Sequence, residues 1–198
     1  MVFRLVSENL RDSKLREGDA LNGDFDRVEP FDMRQDSGVT IRAGALPCGR
    51  ALDPTMMPTR MQMGGSKFVL PDFFLCIGYL ASTSFRDVVE RIEPHRHQFF
   101  PMDIYWSDGT LAASRYFFNV CNRIDSVNRE HTTVPFGNIW KPRKGGDFVF
   151  DRKKIGDRHA WIDMLMTTGS DIWISNMLGG ALKEAELHGI VLQPYYEV

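Results

Sequence analysis

At 198 residues, 43% hydrophobic and 25% charged, the chain is long enough to bury a core without disulfide or metal staples, and it suits one domain or a domain with an appended lobe. A formal net charge of -2 supplies no overall field to gather nucleic acid or an anionic membrane. The longest strongly apolar run, Phe73 to Ala81, is too short to span a bilayer, which takes about 20 residues.

The opening MVFRLVSENLRD turns polar too soon to offer a signal-peptide core, so a cytoplasmic protein is expected. Cys48, Cys76 and Cys121 are odd in number and far apart, and two lie in apolar runs. Buried, reduced thiols are the expectation.

From about Asp12 to Ser66 turn formers dominate, as in REGDALNGDFD, EPFD, LPCGR, DPTMMP and QMGGS. Residues 1–66 are therefore expected to form a loop-rich lobe with short strands, such as VTIRA at 39–43, packed on a main domain at 67–198. This lobe carries an acidic block, with Glu17, Asp19, Asp24, Asp26, Glu29 and Asp32 set against Arg27 alone. Such a block attracts a cationic partner, and its plain alternative is a solvated loop. Met56, Met57, Met61 and Met63 crowd a proline-containing loop expected to be exposed, where flexible thioethers adapt to a partner. The alternative is that two or more fold back onto the core.

Beyond Lys67 come apolar runs of strand length: KFVL, DFFLCIGYLA, HQFFPMDIYW, RYFFNVCNRI and DFVFD. Ser-Asp-Gly at 107–109 predicts a hairpin turn, with Gly109 free to take a positive φ. Two segments read as helices, each opened by a serine in the N-cap position, Ser82 and Ser175. Aligned without a gap they pair Phe85 with Leu178, Val88 with Ala181, Val89 with Leu182, Ile92 with Ala185, His95 with His188 and Pro101 with Pro194. The spacing predicts one buried stripe on each helix, and the unit strand, cap, helix, strand is written twice.

His95 and His97 raise the question of a metal or catalytic site. Further ligands at zinc spacing are missing around them, so a solvated connector from helix to strand is expected, with His95 near a helix C-terminus. No nucleophile elbow, phosphate-binding glycine loop or dinucleotide fingerprint occurs, so no enzyme, cofactor or metal is expected. An enzyme would have to assemble dispersed residues, such as His95 or His131 with a carboxylate and a nucleophile, as in a hydrolase. A further alternative is a nucleic-acid module at 140–158. There Lys141, Arg143, Lys144, Arg152, Lys153, Lys154 and Arg158 outnumber Asp147, Asp151 and Asp157, beside Trp140, Phe148 and Phe150.

The capped helix leading into HRHQFFPMDI, the acid-ended strand YFFNVCNRID and the closing WISNMLGGALKEAELHGIVLQP carry a resemblance over roughly Asp72 to Val198. This region resembles the eleventh immunity family of bacterial polymorphic toxin systems; the first seventy residues carry no part of it. The resemblance implies a small cytoplasmic protein that neutralises a cognate toxin, often of nuclease type, encoded by the adjacent gene. The expectation is thus an α+β fold with a mixed or mostly antiparallel sheet, two strand-helix-strand units and a loop-rich N-terminal lobe. Its expected partner is the toxin, with neither membrane nor nucleic acid, and the contact residues are the acidic block and the four methionines.

Overall fold

The structure, a computed structural model, describes residues 1–8, 15, 18–34, 48–142, 145–166 and 171–198. In chain order its elements are β1 (Val2–Ser7), β2 (Gly18–Ala20), β3 (Arg60–Met63), β4 (Phe73–Leu75), β5 (Tyr79–Ala81), α1 (Thr83–Ile92), β6 (Gln98–Trp106) and β7 (Leu111–Asn119). There follow β8 (Arg123–Ile124), β9 (Val149–Phe150), α2 (Arg152–Ile155), β10 (Ala160–Asp163), β11 (Ile172–Ser175), α3 (Asn176–Glu184) and β12 (Ile190–Glu197). Two mixed sheets result, ordered β8-β10-β11-β1-β12-β9 and β2-β3-β6-β7-β5-β4, which makes an α+β fold dominated by strands. Among the described residues no helix is long and apolar enough to cross a membrane.

Both predicted helices form, and for the predicted reason. Ser82 Oγ accepts from Phe85 N and Ser175 Oγ from Leu178 N, each at 3.2 Å, which satisfies an amide that the first turn leaves unpaired. The stripes Phe85, Val88, Val89 and Leu178, Leu182 are buried. Replacing Ser82 by alanine is expected to cost about 1 kcal/mol, measured by urea unfolding. Replacing Ser175 should cost more, because its hydroxyl also bonds His159 Nδ1 at 2.8 Å.

The repeated unit extends further than the alignment. In one sheet β4, β5, β7 and β6 run antiparallel in succession and β3 adds parallel to β6. In the other, β10, β11, β1 and β12 do the same and β9 adds parallel to β12. The chain order also agrees, β3-β4-β5-α1-β6-β7 against β9-β10-β11-α3-β12, except that the last strand of the second unit is β1, from the other end of the chain. Pro101 and Pro194 sit just upstream of where the outer parallel partner begins, at Asp103 and Tyr196. A proline has no N–H to offer an outer strand, so the position costs nothing there.

Each unit grips the other by the segment that follows its helix. Glu93 Oε2 accepts from His159 N (3.1 Å) and Ala160 N (3.0 Å) at the start of β10. Reciprocally, Asp72 Oδ2 accepts from His188 N, and His188 O accepts from Asp72 N, both at 3.0 Å, at the start of β4. Between the sheets a central core unites Phe3, Leu5, Phe85, Val89, Phe118 and Leu178. A second core lies on the far face of the β6 sheet and a third, rich in tryptophan, on the far face of the β1 sheet.

Residues 1–66 contribute strands to both sheets, β1 as an inner strand of one and β2 and β3 to the other. The structure departs from expectation in two places. The run DFFLCIGYLA is a hairpin of two strands, β4 and β5, because Phe117 lies against the turn at Gly78, where an added Cβ would sit 2.1 Å from Phe117 Cε2. KFVL is not a strand, and the expected strand at 39–43 lies outside the described residues.

Candidate interaction site

Residues 29–31 and 51–53 form a short antiparallel ribbon. Asp53 N donates to Glu29 O at 2.8 Å and Phe31 N to Ala51 O at 3.0 Å, flanking the bridge between Pro30 and Leu52. Alternation then decides the faces: Pro30 and Leu52 point inward and are buried, while Glu29, Phe31 and Ala51 point outward and are exposed. Phe31 is 69% exposed.

This ribbon is bonded to the sheet through side chains. Gln98, the first residue of β6, accepts from Leu52 N at 2.8 Å through Oε1 and donates to Leu52 O at 3.1 Å through Nε2. Its amide takes the place of a neighbouring strand. Asn119 Nδ2 completes the clamp, donating to Gln98 Oε1 at 2.9 Å and to Arg50 O at 2.8 Å.

Two 3-10 turns flank the ribbon. Asp24 caps Phe25–Arg27 by accepting from Asp26 N at 3.1 Å, and Asp53 caps Pro54–Met56 by accepting from Thr55 N (2.8 Å) and Thr55 Oγ1 (2.6 Å). Asp24 N donates to Met56 O at 2.9 Å, which ties the two turns together. Between them lies an open groove of about 390 Å³ lined by Asp26, Arg27, Glu29, Asp53, Thr55 and Met56. The two bonds from Thr55 lower the Asp53 carboxyl below its ordinary range, so it is ionised at neutral pH.

The structure therefore sorts the predicted contact residues. Asp26 and Glu29 line the groove, joined by Asp53, which the acidic-block reading missed because it lies more than twenty residues downstream. Asp24 is a half-buried cap beside them. Asp19 is exposed on β2, paired with Gln62 of β3. Asp32 faces its own cations: Arg34 and Arg50 reach its carboxylate at 2.7 and 3.1 Å, and the bonds from Arg34 hold it well below the usual range. Glu17 lies outside the described residues.

The methionine surface is corrected. Met61 and Met63 are fully buried and Met57 nearly so, because in β3 the alternation Arg, Met, Gln, Met sends both methionines inward beneath β6. Only Met56, half-buried, reaches the groove.

His95 is exposed, with Nδ1 3.6 Å from Glu90 Oε2, as a connector residue should be. His97 is not solvated. Its Nδ1 accepts from Cys121 N at 3.1 Å, so its ring hydrogen is at Nε2, which faces Glu93 Oε2 at 2.9 Å inside the protein. His131 Nδ1 lies 3.0 Å from Asn128 Oδ1 in an exposed turn. The pairing of His159 with Ser175 looks like a nucleophile and base, but that hydroxyl caps α3 as Ser82 caps α1. Among the described residues no three His, Cys, Asp or Glu side chains come together to hold a metal ion.

At 140–158 the aromatics available for stacking on bases, Trp140, Phe148 and Phe150, are inside the third core. Arg152 pairs with Glu197 at 2.9 Å and Lys154 with Asp125 at 3.3 Å, while Arg143 and Lys144 lie outside the described residues. All three cysteines are free, and burial pushes the thiols of Cys76 and Cys121 up to about 11 and 12. None is poised as a nucleophile.

No curated protein matches this sequence. The family described as Immunity protein family (Imm11) matches residues 17–197, so the match takes in the ribbon and groove as well as the region of the initial resemblance. The chain belongs to the Imm11 immunity protein family.

Proposed function

We propose that this protein neutralises a cognate toxin by binding it one to one, with the groove at Asp26, Glu29 and Asp53 facing a cationic surface of that toxin. One observation supports this reading above the others. Three carboxylates project outward from a ribbon and turn that are hydrogen-bonded to a sheet, rather than from a free loop. Ordering them beforehand lowers the cost of association. A nuclease toxin fits this chemistry, because the basic groove that holds its phosphate backbone also attracts carboxylates, and occupation of it blocks substrate. The site of action is the cytoplasm, where the toxin would otherwise reach its target.

Co-expression with the product of the adjacent reading frame tests this directly. The expected result is host survival, with the two proteins co-purifying at equal stoichiometry. Persistent toxicity in the presence of abundant, folded protein would overturn the reading.

A further inference from the structure

We propose that Phe31 is the apolar anchor of this interface, inserting into an apolar pocket bordered by cations on the toxin; the inference rests on the function proposed above. Phe31 has no polar atom, yet it is 69% exposed, and the ribbon holds it outward through Phe31 N bonded to Ala51 O. Its strand neighbour Pro30 is buried and the facing Leu52 is clamped by Gln98, so the ring cannot fold inward without breaking the clamp. A single exposed apolar side chain is ordinary on a protein surface; what sets Phe31 apart is its fixed outward position beside the carboxylates of the groove. Binding energy concentrates in a few central side chains ringed by contacts that exclude water, and Glu29 and Asp53, opposite each other across the ribbon, lie to one side of Phe31 and its facing Ala51. The chemistry of the partner follows from that combination: a hydrophobic pocket with Lys or Arg at its rim.

Among the described aromatic residues the rival is Tyr196, at 78% exposure on β12 of the other sheet. Its hydroxyl stays hydrated when the ring is exposed, so it needs no partner. It serves as the control.

The experiment measures association and dissociation of the active-site-disabled product of the adjacent reading frame on immobilised immunity protein, at several salt concentrations. For Phe31→Ala the expected loss of affinity is about thirtyfold or more, mostly as faster dissociation, with the salt dependence unchanged. Phe31→Leu should restore most of the loss, and Tyr196→Ala should bind as the wild type does. Both positions are exposed, and circular dichroism checks that each variant is folded. Affinity of Phe31→Ala within about threefold of wild type overturns the anchor. If Asp26→Lys/Glu29→Lys weakens binding in that case, the acidic reading stands and the anchor alone falls; if that variant also binds normally, or the wild type does not bind, both fall.

Discussion

Replacing Glu93 by alanine is expected to lower stability by about 3–5 kcal/mol, the scale for leaving several buried hydrogen-bond donors without their acceptor. The carboxylate follows the C-terminus of α1 and is almost wholly buried. Oε2 accepts from His97 Nε2 and from the amides of His159 and Ala160, and Oε1 accepts from Asn122 Nδ2 at 2.8 Å. Alanine leaves His97 Nε2 and the amides of His159 and Ala160 without their acceptor, while Asn122 Nδ2 keeps its bond to Ala160 O, and each buried, unpaired donor costs about 1–3 kcal/mol less whatever water can enter. Because His159 and Ala160 belong to the other unit, the loss also loosens one of the two grips between the sheets. In a chain of this length a fall in Tm of roughly 10 °C should accompany it. Urea unfolding followed by tryptophan fluorescence measures both, and a loss below about 1 kcal/mol would show that the cluster is not holding the units together.

The same cluster sets part of the acid limit. Burial by itself raises the Glu93 carboxyl, but the bonds from His97, Asn122 and Ala160 outweigh it and leave the group below its ordinary value of 4.5. A carboxyl that is more acidic when folded contributes stability above its unfolded value and loses it as pH falls through the folded one. Asp163 acts in the opposite sense. Burial holds it above its ordinary value despite the bonds from Ser126 and Leu165, so its ionisation opposes folding and that opposition is relieved in acid. Below about pH 4.5 the Glu93→Ala variant should therefore lose less stability per pH unit than the wild type, and the two curves should converge.

What was legible in the sequence was local. Ser82 and Ser175 announced their helices because a cap, a stripe and a stop all fall within a dozen residues. The central place of β1 was not legible, because its partners Ile172–Ser175 and Ile190–Tyr195 lie at the opposite end of the chain and VFRLVS does not alternate cleanly. His97 was misplaced for a similar reason: the groups that bury it, Glu93, Cys121 and Phe118, converge only once β6 and β7 pair. Acidic composition singled out residues 17–32 but not which of their carboxylates line the groove. Asp32 is compensated by Arg34 and Arg50, and Asp53 enters from a strand that pairs with 29–31 across a gap of twenty residues. The outward Phe31 was hidden in EPFD, since only the pairing of Pro30 with Leu52 decides which residue of the pair faces water.

Reversing two charges, Asp26→Lys with Glu29→Lys, is expected to reduce toxin affinity by about 100-fold at low salt, chiefly through slower association. Both carboxylates are exposed and neither caps a turn, whereas Asp24 and Asp53 do, so the double variant should unfold at the same urea concentration as the wild type. The change replaces two attractions by two repulsions at the mouth of the groove, where Arg27 already contributes one positive charge. Long-range forces of this kind act on the approach of the partner, before any contact forms, and are screened beyond about 8 Å at physiological ionic strength. The deficit should accordingly shrink as salt rises, and the salt dependence of wild-type association should be lost in the variant. In the co-expression assay the variant should protect the host poorly while accumulating normally. Full protection, with a salt dependence identical to that of the wild type, would place the toxin on another face, and the groove between α3 and β12, lined by the half-buried Leu187, Ile190 and Leu192, would be the next surface to mutate.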